Sequence, residues 1–79
     1  MKEEGFIELL RAGGVVEGKQ YKVRIVDRSR NVCVSDDEEV DIYGIYNKVW
    51  TAFEWLKLSE WFFYDIIIGH NNDIYIIAR

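Results

Sequence analysis

Read as a pattern of apolar and polar positions, the chain first turns regular at residues 3–12, where Phe6, Leu9 and Leu10 fall on one helical face. Gly13-Gly14 close this short helix, because glycine accepts the left-handed conformation in which helices commonly end. Val15-Val16 and residues 20–27 read as strands around Glu17-Gly18-Lys19. The second of these alternates. Tyr21, Val23 and Ile25 point one way and Lys22 and Arg24 the other, the pattern of a half-buried antiparallel strand. Arg28-Ser29-Arg30-Asn31 is a polar turn and Val32-Cys33-Val34 a short apolar return, so residues 20–34 predict a hairpin.

Ser35 precedes Asp36-Asp37-Glu38, and Ser-x-x-Glu is the spacing of a capping box. Four consecutive acids, Asp36, Asp37, Glu38 and Glu39, would also meet the positive end of a helix dipole. Ile42, Ile45, Tyr46, Val49, Ala52, Phe53 and Leu56 then recur at helical spacing, with Lys57 near the end. A helix over residues 36–58 would be about 34 Å long and would cross the whole domain. A break near Gly44 is the alternative, since glycine costs ~1 kcal/mol inside a helix.

Residues 61–68 are apolar on both parities except for Asp65, which predicts a central strand or one whose second face is covered. Gly69-His70-Asn71-Asn72 is a turn cluster and residues 73–79 a second apolar strand, hence a second hairpin. The order helix, hairpin, helix, hairpin predicts an α+β two-layer sandwich. In it, an antiparallel sheet of about four strands carries one long helix across a face, and a short N-terminal helix precedes it. The pattern is compatible with both hairpins in one sheet or in two, and it names no element for the other face.

Composition narrows the class. The chain has 79 residues, 49% of them apolar and 15% aromatic, with no proline. That fits a single domain over residues 1–79 and is too apolar for disorder. No apolar run approaches the ~20 residues of a spanning helix, and Met1-Lys2-Glu3-Glu4 does not begin a signal peptide. The expectation is a cytoplasmic protein without a membrane partner. A single Cys33 and a single His70 cannot frame disulfides or a Cys/His zinc site. The ten isoleucines against four leucines favour β structure.

Candidate chemistry is sparse. The acid run lacks the alternating spacing of a calcium loop, no glycine-rich phosphate loop is present, and Cys33 reads as a small core residue. The expectation is no catalytic residue, no metal and no cofactor. An enzyme built on Asp65, His70 and Asp73 is the weakest reading and would need a pocket joining them.

Charge is more informative. Residues 1–35 carry seven Lys/Arg and five Asp/Glu, while residues 36–79 carry three and nine, so the net −4 divides into +2 and −6. The acidic half could engage a basic surface of another protein. Trp50, Phe53, Trp55, Trp61, Phe62, Phe63 and Tyr64 crowd within fifteen residues, and tryptophan on a polar helix face is enriched in binding hot spots. The leading expectation is a small acidic, non-enzymatic protein-interaction module. Its partner surface would combine Tyr43, Trp50 and Trp55 with Asp36, Asp37, Glu38 and Glu39. Its role would be that of an inhibitor or accessory protein of viral or mobile-element type, and a homodimer is a further expectation. The alternative is a nucleic-acid-binding domain using Lys22, Arg24, Arg28 and Arg30 on the basic hairpin. Nucleic acid ranks second because the chain as a whole is acidic.

Overall fold

The computed structural model describes residues 3–56 and 64–78, with the side chains of Phe53, Trp55, Leu56 and Tyr64 outside the description. The first element is the helix α1, Glu3–Ala12. It ends in a Schellman motif. Gly14, at φ 104°, donates its amide to the Arg11 carbonyl, and the Val15 amide reaches the Leu10 carbonyl at 3.0 Å. Val15 and Leu10 are both buried, giving the apolar clasp that accompanies this cap. Val15-Val16 is therefore a helix stop and not a strand. Phe6 and Leu10 of the expected face are buried, with Ile7 beside them, whereas Leu9 is 44% exposed.

Strand β1, Tyr21–Asp27, shows the predicted alternation, with Tyr21, Val23, Ile25 and Asp27 buried and the residues between them half-exposed. After the turn, β2 runs from Val32 to Val40, well past the expected return strand. This overturns the capping box. Ser35 and Glu39 pair with Arg24 and Lys22, and Val40 pairs with Tyr21. Between those pairs Val23 faces Asp36, Asp37 and Glu38 together, so the acids bulge out of a strand instead of opening a helix. Strand pairing plus the packing of Val34 and Val40 on the core outweighs the local helix-start signal.

The cap is Asp41, whose Oδ1 accepts the Gly44 amide at 2.9 Å. Helix α2 then spans Ile42–Leu56 without a break at Gly44. Gly44 is required for a different reason. A Cβ there would lie 2.5 Å from the Val40 Cβ, so only glycine lets the first turn of α2 rest on the end of β2. Ile42, Ile45, Val49 and Ala52 are buried and Tyr46 packs against them, as the periodicity predicts. Residues 57–63, including Lys57 and Trp61, lie outside the described residues.

Strands β3, Tyr64–Ile68, and β4, Asp73–Ala78, form the second hairpin. Asn71 and Asn72 turn the chain at φ 59° and 61°, a region asparagine tolerates. Both hairpins join one sheet in the order β2-β1-β4-β3. Each hairpin is antiparallel, but the central β1–β4 seam is parallel, which makes the sheet mixed. The apolar β3 is thus an edge strand, and β1 and β4 are central. α1 and α2 lie on one face and bury Val23, Ile25, Ile74 and Ile76 beneath them.

Candidate functional site

The feature with the shape of a site is a cleft of about 390 Å³ between α2 and the outer strand β2. Its floor is apolar, built from Val23 and Ile25 of β1, Val34 of β2 and Ala52 of α2. Its rim is polar, with Ser35 and Asp36 on the strand side and Asn47, Lys48 and Thr51 on the helix side. The cleft follows from the bulge, because a strand that bends outward leaves room between itself and the helix. Lys48 Nζ spans the mouth and donates to Asp36 Oδ2 at 2.8 Å. Asp36 Oδ1 accepts the Glu38 amide at 3.0 Å, which fixes the bulge in an Asx turn. The Lys48 contact first and the Glu38 amide second hold the Asp36 carboxyl below the usual aspartate range.

The structure separates the partner residues expected from the sequence. Asp36, Asp37, Glu38 and Glu39 are all exposed along β2. Tyr43 and Trp50 are also exposed, but on another flank of α2. Tyr46 lies 6.0 Å from Phe6 of α1 and stacks with Trp50 at 6.3 Å, whereas Lys48 reaches β2. Two residues along a helix is about 200° of rotation, so the aromatic row and the acidic strand border opposite sides of α2. Tyr43 leans toward the loop after α1, its hydroxyl donating to Glu17 Oε1 at 3.2 Å. Trp55 lies outside the described side chains.

The basic set is likewise divided. Lys22 and Arg24 share the sheet face opposite the helices. Lys22 pairs across to both Glu39 and Asp73, and the Arg24 guanidinium sits 5.9 Å above the Tyr75 ring. Arg28 and Arg30 lie in the turn at the far end of β1, about 20 Å from Lys22 along the strand. Arg30 is engaged there by Asp27, at 3.6 Å from its Oδ2. Asp27 is 1% exposed, and sequence reading gave it no role. Its Oδ1 accepts both the amide and the hydroxyl of Ser29, which pins the β1–β2 turn, while its Oδ2 accepts no hydrogen bond. The Asp-x-Ser spacing was the legible signal for this turn anchor.

Asp65, His70 and Asp73 do not converge. Asp65 pairs with Ile77, four positions along β4 from Asp73 and so about 13 Å away. Cys33 is exposed, paired with Val26 on the open sheet face, and not the core residue expected. Among the described residues no three His, Cys, Asp or Glu side chains gather as a metal would require, and no helix is long and apolar enough to cross a membrane. Comparison with protein-family models, with curated proteins and with solved structures finds no match.

Proposed function

We propose that this chain acts by binding another protein, without chemistry of its own, and that the acidic strand β2 with the adjoining flank of α2 is its partner surface. The observation that carries this reading is the placement of four consecutive carboxylates, Asp36 to Glu39, on the outer strand of the sheet, beside an open cleft with an apolar floor. Apolar area at the centre and charge at the rim is the usual anatomy of a protein interface. The carboxylates would steer a basic partner and the floor would hold it. Tyr43 and Trp50, on the other flank, would form a separate contact. An inhibitor or accessory protein that occupies a basic surface, in the manner of many viral and mobile-element proteins, is the role such a module would fill.

The test is capture and affinity measurement with the wild-type chain and with a variant carrying Asp36→Asn, Asp37→Asn, Glu38→Gln and Glu39→Gln together. The captured partner should bind the variant at least about tenfold more weakly, and its affinity for the wild type should fall with salt. Equal affinity for both chains would sink the assignment of β2. The nucleic-acid reading has one observation in its favour, the Arg24–Tyr75 pair on the open sheet face. It requires binding to single-stranded DNA or RNA that weakens when Lys22 and Arg24 are both replaced by Gln.

A further inference from the structure

We infer that the partner enters as an extended, basic–apolar peptide that adds to the free side of β2 as a fifth strand and sets an apolar side chain in the α2–β2 cleft. This rests on the protein-binding reading above and names its mode and its ligand.

Three observations converge. The first is the backbone. β2 is terminal in the sheet, so the described residues offer its outer side no strand partner, and Val32–Ser35 in regular register with β1 presents a straight template. Extended peptides commonly bind by completing such an edge, with alternate side chains entering pockets beside it. The second is the cleft, which lies directly between that strand and α2. An engineered apolar cavity of about 150 Å³ holds a benzene-sized group. A cleft of about 390 Å³ therefore has room for one large or two modest apolar side chains. The floor of Val23, Ile25, Val34 and Ala52 supplies the apolar contact.

The third is charge, and it selects among occupants. Of the four carboxylates, Asp36 engages the Lys48 ammonium and Glu39 lies across the ladder from Lys22, so Asp37 and Glu38 stand without a cation opposite them among the described residues. A second copy pairing β2 with β2 through residues 36–39 would bring two acid runs together, and like charges across a strand pair are unfavourable. One pairing antiparallel over Val32–Ser35 would offer the acids only the turn of Arg28 and Arg30, where Asp27 already engages Arg30. An acidic peptide meets the same repulsion. A strand with lysine or arginine between apolar residues places cations against Asp37 and Glu38 and its apolar side chain over the floor.

The experiment selects a displayed random-heptapeptide library on the intact chain, then measures the enriched peptides in solution. The expected peptides carry a net positive charge and alternate basic with apolar residues. N-methylation of alternate backbone amides removes strand hydrogen bonds while keeping every side chain, and should weaken binding at least about tenfold. Thr51→Trp, at an exposed rim position, should block the cleft with a comparable loss, and circular dichroism reports whether that variant is folded. Amide hydrogen exchange should slow in β2 on binding and not in β3. Enrichment of acidic peptides, indifference to N-methylation, or protection confined to the α1–α2 flank overturns strand addition. So does the absence of any enriched peptide. None of these outcomes touches the charge-variant affinity test of the broader reading, so the two can fail separately.

Discussion

The two outer strands occupy equivalent places in the fold and are built from opposite chemistry. β2 and β3 each form the outer half of a hairpin, and they run in the same direction because the seam between the hairpins is parallel. β2 is nine residues long, bulged and acidic. β3 is five residues long, and its described part reads Asp-Ile-Ile-Ile, with Ile67 51% and Ile68 36% exposed. Exposed strand edges template association with other chains, and charge and bulging are the common defences. β2 has both, and β3 has its shortness and the single Asp65. The contrast separates two tasks. In the reading proposed above, charge on β2 would disfavour pairing of two acid runs and leave a template for a basic strand. The apolar β3 instead lies beside the turn that ends α1, where Ile66 and Ile68 approach Gly13 and Gly14.

The largest effect on this contrast should come from Gly44→Val. The added Cβ would meet Val40 at the 2.5 Å separation given above, forcing α2 off the end of β2. Overpacking of this kind costs about 1–3 kcal/mol. Denaturant unfolding should show that loss, and hydrogen exchange should accelerate in β2 before β3. A variant as stable as the wild type would mean that α2 can slide freely on β2.

Asp27→Ala should come next, at about 1–2 kcal/mol, since it leaves the Ser29 amide without its acceptor and loosens the turn that feeds β2. Asp27→Asn should cost less, because an amide oxygen can still accept from Ser29. Equal losses for the two would assign the effect to the Arg30 ion pair instead.

Ile67→Lys should leave stability within about 0.5 kcal/mol, as exposed substitutions do. Static light scattering should show less self-association at high concentration, giving β3 the charge protection that β2 already has. The smallest effect concerns pH. Asp36 is held below its ordinary range, so the Lys48 contact contributes stability that is present above the unfolded carboxyl value of about 3.9. It is lost as pH falls through the lower folded value. Lys48→Met should flatten the acid limb of a thermal-denaturation series only slightly, because the pair is exposed to solvent.

Much of the framework was legible. The alternation of Tyr21, Val23 and Ile25, the spacing of Ile42, Ile45 and Val49, and the glycine stop after Ala12 each act within a few residues, where local physics decides. Position in the sheet was not legible. Ile66-Ile67-Ile68 looks central by composition, and only the assembly of the hairpins makes it an edge. The acid run misled for a related reason. Ser35 to Glu38 satisfies a helix start locally, while its pairing with Arg24 and Lys22 depends on residues more than ten positions earlier. The candidate site was half visible. Its carboxylates could be named from the sequence, but the cleft could not, because it exists only where the bulge, β1 and α2 meet.

The parallel seam also has a kinetic consequence. Every pair along it, from Lys22↔Asp73 to Asp27↔Ala78, joins residues 51 positions apart. Each hairpin can zip in microseconds from its own turn. The seam must first close a long loop, whose length-dependent entropic cost is roughly 3.5 kcal/mol. The chain should therefore fold as two hairpins that meet late, with α2 spanning the gap between them. A substitution at Ile76, inside the seam, should speed unfolding far more than it slows refolding.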